Sequence, residues 1–168
     1  MNTQSAELFP SEWPDATAPT VVRIVVYGDP APQGSKAFKG LFTGKDGRQH
    51  AKLAESSKRV KPWRQDVVAA ARAVMAGHPP LDGPLRARMV FTLPKPVSAP
   101  KRRRTWPNKK PDVTKLARST EDALVTAGCI VDDARIVGYS RLEKVFPNED
   151  PEALTSPGVR IEISVLEG

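Results

Sequence analysis

The 168-residue sequence has one cysteine, Cys129, and only two histidines. A single cysteine excludes an intrachain disulfide and any zinc site built from several thiolates. No stretch reaches the roughly 18 consecutive apolar residues of a membrane-spanning helix. The first residues also lack the basic and apolar regions of a secretory signal. These absences predict a cytoplasmic protein without a membrane partner.

Acidic residues are also few in comparison with basic ones. The chain has 26 Lys and Arg against 19 Asp and Glu, which gives a net charge of +7 at pH 7. Such an excess favours a polyanionic partner such as nucleic acid or an anionic surface. The alternative, that the charges form only a solvated face, applies to any charge run.

The basic residues are densest in residues 94–111, here called the basic loop. Its prolines exclude regular secondary structure and favour a mobile loop. Interleaved aromatic and basic side chains are typical of a loop that follows a phosphate backbone. Trp106 is the interleaved aromatic residue, and the candidate DNA-binding residues are Lys101, Arg102, Arg103, Arg104, Lys109 and Lys110.

The apolar pattern predicts a flexible N-terminal arm at residues 1–19 and a single domain at residues 20–168. Strands are expected at residues 21–27, 85–93, 136–146 and 159–166, with a hairpin formed by residues 37–42 and 49–52. Helices are expected from Pro62 to Gly77 and from Pro111 to Gly128. The fold class is therefore α/β (α+β), with a small mixed β-sheet packed against two main helices.

Both helices show an apolar face at helical spacing. In the first, the predicted buried face is Trp63, Val67, Ala70, Ala71 and Val74. In the second, it is Val113, Leu116, Ala117, Thr120, Ala123, Leu124 and Ala127. The residues of the second helix predicted to face away are Lys115, Arg118, Ser119, Asp122 and Thr126.

Acidic residues stand on both sides of the second helix. Asp112 precedes it, where an N-cap is the plain alternative, and Asp132 and Asp133 follow it, where a turn is the plain alternative. Mg²⁺ is held by one or two carboxylates together with phosphate and water. Carboxylates beside a basic loop therefore favour a divalent metal facing a phosphate backbone, provided that the helix brings the two acidic positions together.

Residues 111–144 resemble the RusA family of Holliday-junction resolvases, especially its phage-type members. The residues that carry the resemblance are Pro111, Asp112, Leu116, Arg118, Asp122, Ala123, Leu124, Asp132, Asp133 and Lys144. Residues 28–35 also resemble the glycine–proline turn that follows the first strand in that family.

The resemblance implies a homodimer that nicks four-way junctions and other branched DNA with Mg²⁺ or Mn²⁺. It implies paired symmetric cuts during recombination and repair in a bacterial or phage-infected cell. Asp112 and Asp133 would be catalytic metal ligands, with Asp132 as a further metal neighbour. Arg118 takes the basic helical position near the scissile phosphate, and Lys115 and Lys144 are predicted to bind DNA.

One position departs from the family pattern, because Thr114 stands where a second acidic residue is usual. A neutral hydroxyl is a weaker metal ligand than a carboxylate. Water or Glu121 could complete the metal shell, the enzyme could need a high metal concentration, or the chain could bind junctions without cutting them. A basic nucleic-acid-binding module whose aspartates serve as caps and turns is a further alternative.

Overall fold

The computed structural model describes residues 19–34, 36–55 and 58–167, so the predicted arm at residues 1–19 lies outside it except for Pro19. Six strands and two α-helices form in this part of the chain. Their order is β1 (Val21–Tyr27), β2 (Lys36–Thr43), β3 (Gln49–Glu55), α1 (Val60–Met75), β4 (Leu85–Thr92), α2 (Val113–Ala127), β5 (Ile136–Val145) and β6 (Gly158–Val165).

Four strands make the main sheet, in the order β1-β6-β4-β5. Strands β4 and β5 run parallel, whereas β6 pairs antiparallel with both β1 and β4. Strands β2 and β3 form a separate antiparallel hairpin, which confirms the predicted hairpin. The predicted mixed sheet with two helices is also confirmed.

Strand β1 shows how the sheet faces its helices. Val22, Ile24 and Val26 are buried, and the residues between them are exposed, as the period of a β-strand requires. Helix α1 packs on this face through Trp63, Val67, Ala71 and Met75, which lie four residues apart. Val74, which the pattern placed on the buried face, is 44% exposed, so that prediction is wrong and Met75 takes its place.

Helix α2 buries Leu116, Ala117, Thr120, Ala123 and Leu124, which confirms the centre of its predicted stripe. Its end is set by Gly128, whose φ of +74° is a left-handed conformation that suits glycine. Ser119 was expected to face away but is fully buried. Its hydroxyl donates to the Ala31 carbonyl at 2.6 Å, so the turn after β1 covers this side of the helix.

The β4–α2–β5 unit decides where the two ends of α2 lie. Because β4 and β5 are parallel, α2 must run back across the sheet between them. The start of α2 therefore lies towards the edge where β4 and β5 end. The chain after α2 lies at the opposite edge, where Ile130 forms a bridge with Leu81 just before β4 begins.

Two strand glycines give a matched test of the packing at the sheet. A Cβ added at Gly158 would lie 2.1 Å from the Val26 carbonyl oxygen and 2.8 Å from Leu154 Cδ1. Backbone cannot move away as a flexible side chain can, so Gly158→Ala should lower the free energy of unfolding by about 1 to 3 kcal/mol or more. Denaturant titration measures this change.

Gly138→Ala in β5 is the control, because a Cβ there would meet no atom within 4 Å. Its free energy of unfolding should stay within about 0.5 kcal/mol of the unmodified chain. Equal losses for the two variants would contradict the close contact between β1 and β6 described here.

Candidate active site

Asp112 occupies the N-cap position of α2, but its side chain makes no capping hydrogen bond. The carboxylate is 55% exposed, and Lys115 Nζ lies 3.7 Å from it. The positive end of the helix dipole stabilises a negative charge here. The simple capping role is therefore not what the side chain does, and its oxygens remain accessible to a ligand.

The basic loop contains no helix or strand, as its prolines predict. Lys101, Arg102 and Arg103 are exposed, as are Lys109 and Lys110 at its end. Arg104 differs from its neighbours because its guanidinium lies over the Trp106 ring, 4.0 Å from the centroid. The loop thus presents five exposed cations, and a sixth cation, Arg104, is stacked on an aromatic ring.

An acidic segment, residues 147–157, fixes the basic loop to the body of the protein. Glu149 accepts hydrogen bonds from the Lys95 ammonium and from the Thr105 amide, and both lower the pKa of its carboxyl below the ordinary value. Asp150 binds Arg141 at 2.7 Å and Arg104 at 2.9 Å, and the Arg141 hydrogen bond is the main reason that its pKa is also lowered.

Lys144 also holds this region. Its ammonium donates to the carbonyl oxygens of Lys109 at 2.8 Å and Pro111 at 2.9 Å. It therefore positions the backbone that leads into Asp112. DNA binding by Lys144 and by the exposed Lys115 stays a prediction.

The acidic pair at the other end of α2 divides into two roles. Asp132 accepts a hydrogen bond from the Ala134 amide at 2.8 Å and caps the short 3-10 helix Asp133–Arg135, which is the plain turn role. The Asp133 carboxylate has no hydrogen-bond or ion-pair partner among the described residues. It acts instead on Glu121 of α2 by charge repulsion.

Glu121 of α2 is the carboxyl group near Asp133 whose pKa is clearly changed. Its partial burial, together with the charges of Asp133 and Asp122, raises its pKa to about 7. The Tyr139 hydroxyl donates a hydrogen bond to it. Arg118, exposed one turn earlier on the helix, counteracts the rise but does not cancel it.

The two acidic positions are not brought together within one chain. Helix α2 has 15 residues and is therefore about 22 Å long. Asp112 lies before its start and Asp133 after its end, and no group of three potential metal-ligating side chains occurs in the described ranges. The helix separates the two positions, so within one chain the condition set for a shared metal site is not met by α2, and the metal-ligand roles of Asp112, Asp132 and Asp133 stay predictions.

The donor chemistry nevertheless fits a divalent cation. Mg²⁺ and Mn²⁺ prefer hard oxygen ligands, which Asp112 and Asp133 supply in accessible positions. Partial burial is the main cause of the raised pKa of Glu121, and the negative charges of Asp133 and Asp122 add to it. A cation would be stabilised by this arrangement, whereas the described chain alone supplies too few ligands at either end.

Sequence reasoning missed the partner of Asp122. Arg64 of α1 binds Asp122 and also donates to the Gln33 side chain in the turn after β1. The backbone N–H of Gln33 donates to the Lys115 carbonyl at 2.9 Å. Asp122 therefore helps to fix the turn at residues 28–34 against α2. Arg64 and Asp122 lie too far apart in the sequence for any local pattern to have paired them.

A basic loop that leads into an accessible carboxylate suits a protein that acts on a phosphate backbone. Comparison with known families matches residues 28–164 to the family described as endodeoxyribonuclease RusA. The chain belongs to the RusA endodeoxyribonuclease family, and the resemblance noted in the sequence is confirmed. This membership supports an endonuclease of the Holliday-junction-resolvase type that acts on branched DNA. No curated protein matches the chain.

Residues 19–34, 36–55 and 58–167 contain no helix that is long and apolar enough to cross a membrane.

The pKa of Glu121 makes a prediction for stability. An acid with a higher pKa in the folded chain binds more protons when folded, so this group lowers stability as the pH rises from about 4.5 to about 7. Glu121→Gln keeps an acceptor for Tyr139 but carries no charge. It should raise the free energy of unfolding by about 2 kcal/mol at pH 8 and change it little at pH 4.

Urea titrations at the two pH values, in the absence of divalent ions, measure this difference. Glu167→Gln, at an exposed position, is the control for removal of one negative charge. If Glu121→Gln shifted stability equally at both pH values, the raised pKa of Glu121 and the partial burial that is its main cause would be refuted.

Proposed function

We propose that the chain is a Mg²⁺- or Mn²⁺-dependent endonuclease that acts as a homodimer and nicks four-way DNA junctions by paired symmetric cuts. The observation that carries this proposal is Asp112. In a chain of the RusA family, its carboxylate is exposed at the end of a basic loop and makes no capping hydrogen bond to the helix. A purely structural aspartate at a helix start would be expected to cap the helix.

The charges of the basic loop suit a phosphate backbone. Lys101, Arg102 and Arg103 are exposed and would neutralise successive phosphates, which releases counterions from the DNA. The backbone between this loop and Asp112 is held by Lys144, which donates to the carbonyl oxygens of Lys109 and Pro111. A strand that follows the loop is thus directed towards the candidate catalytic carboxylate.

The chemistry of the site follows from its charges. A divalent ion bound by Asp112 and Asp133 would supply Lewis acidity to the scissile phosphate and lower the pKa of a bound water. Lys115 lies 3.7 Å from Asp112 and would help to orientate that carboxylate. Arg118, exposed on the same helix, would bind a phosphate oxygen as charge develops on it.

The proposed homodimer would allow the two acids to share one ion. Ligands of Mg²⁺ lie about 2.1 Å from the ion, so one ion cannot contact both ends of a helix about 22 Å long. In a homodimer, Asp112 of one protomer can face Asp133 of the partner subunit, and symmetry then gives two equivalent sites. Exposed apolar side chains flank the acidic pair and suit an interface: Val131, Val137 and Tyr139.

A second function, junction binding without cleavage, is favoured by one residue. Thr114 is exposed on the first turn of α2, beside Asp112, and supplies a hydroxyl in place of the family's second acid. The site then carries one negative charge fewer and binds a cation more weakly. The third alternative, that all the aspartates are caps or turns, fits Asp132 but does not fit Asp112.

Cleavage of a labelled four-way junction tests the proposed function. The unmodified protein should produce paired nicks with Mg²⁺ or Mn²⁺ and none with EDTA. Asp112→Asn should lower the rate at least about 100-fold, because loss of a metal ligand removes several kcal/mol of transition-state stabilisation. Binding of the junction should persist, since the basic loop is unchanged.

Glu162→Gln is the matched control, since Glu162 also pairs with one cation, Arg23 at 2.6 Å, but lies in strand β6. It should cut at the unmodified rate. Thr114→Asp should raise cleavage at low Mg²⁺ if the missing acid limits metal binding. An intact junction at every metal concentration, for both the unmodified and Thr114→Asp proteins, would contradict an endonuclease and leave junction binding as the function.

A further inference from the structure

A groove of about 670 Å³ lies between the basic loop and the ends of β4 and β5. Its volume is within the range of about 300 to 1,000 Å³ that is typical of small-molecule sites. The apolar part of its wall includes Leu93, Phe146 and several prolines of the basic loop. The charged part has five cations, namely Arg59, Arg103, Arg104, Lys109 and Lys110, and one anion, Asp29, which is paired with Arg59 at 2.8 Å.

Trp106 is the aromatic side chain of this groove. It is 59% exposed, although Pro107 next to it is buried. The backbone on both sides is fixed, because the Thr105 amide donates to Glu149 at 2.9 Å and the Asn108 amide donates to the Trp106 carbonyl at 2.8 Å. Arg104 covers one face of the indole. An exposed aromatic ring held in this way is suited to stacking on a further flat group.

We propose that this groove binds one unstacked nucleobase of the DNA, stacked on Trp106, while the surrounding cations hold its flanking phosphates. This inference rests on the proposed function and names the form in which DNA enters the site. Apolar and aromatic walls inside a cationic rim match a nucleotide, which joins a flat base to a charged backbone. A regular duplex keeps its bases stacked, whereas the crossover of a junction makes a base easier to unstack.

The position of the groove connects base binding to the candidate active site. Lys110 and Pro111 line it and directly precede Asp112. A base held against Trp106 would therefore direct the neighbouring phosphate towards that carboxylate. The groove would select a distorted strand over an undistorted one before any bond is broken.

Paired oligonucleotides in EDTA test the proposal without any need for cleavage. One is a short thymine oligonucleotide, and the other is an abasic chain with the same number of phosphates. For the unmodified protein, removal of the bases should weaken binding about 5- to 100-fold, as expected for loss of aromatic stacking. Trp106→Ala should bind the thymine and the abasic oligonucleotides almost equally. Binding of the thymine oligonucleotide should quench the fluorescence of Trp106 in the unmodified protein.

Two further variants complete the test. Trp106→Phe keeps an aromatic ring and should retain most of the preference for bases. Val97→Ala removes an apolar side chain that is 94% exposed in the same loop but outside the groove, and it should behave as the unmodified protein does. Thermal melts check that Trp106→Ala folds, which its exposure predicts.

An equal loss of affinity on base removal in the unmodified and Trp106→Ala proteins would overturn the proposal. That result would leave junction cleavage untouched. Conversely, base-dependent binding through Trp106 in a protein that never cuts DNA would support the groove and refute the endonuclease.

Discussion

The parallel pairing of β4 and β5 is the constraint on which the candidate site depends. Two parallel neighbours require the connecting helix to cross the whole sheet. Asp112, at the start of helix α2, therefore lies towards one edge of the sheet, and Asp132 and Asp133, after its end, lie towards the other. The buried stripe of α2 packs on the core, so the start of the helix and the chain that follows it lie at opposite edges of the sheet.

The charges are arranged around the same unit. The net charge of +7 is not spread evenly, because the acidic segment at residues 147–157 is paired with arginines and a lysine that hold the basic loop. Glu152 extends this set, binding Arg88 of β4 at 2.6 Å, and Arg88 is the main cause of its lowered pKa. These pairs leave Lys101, Arg102 and Arg103 exposed for phosphates. The acids thus order the loop without neutralising the part that can reach DNA.

Sequence patterns predicted the elements that depend on local periodicity. The alternation of β1 and the buried stripe of α2 follow from the repeat of each secondary structure, and the resemblance to RusA depended on short motifs along α2 and its flanks. The contacts that periodicity cannot encode were missed. Ser119 was predicted to face solvent because its hydrogen-bond partner, the Ala31 carbonyl in the turn after β1, lies 88 residues away in the sequence. The pairs Arg64–Asp122 and Lys95–Glu149 likewise join distant residues.

Mixing two inactive variants tests most directly whether the acids at the two ends of α2 form one active site between protomers. Asp112→Asn and Asp133→Asn chains, co-expressed with different tags and purified as a mixed dimer, would hold one site with both native acids and one site with neither. The mixed dimer should then nick one strand of a four-way junction, although each variant alone leaves the junction intact. A mixed dimer as inactive as its two parents would contradict a site shared between subunits.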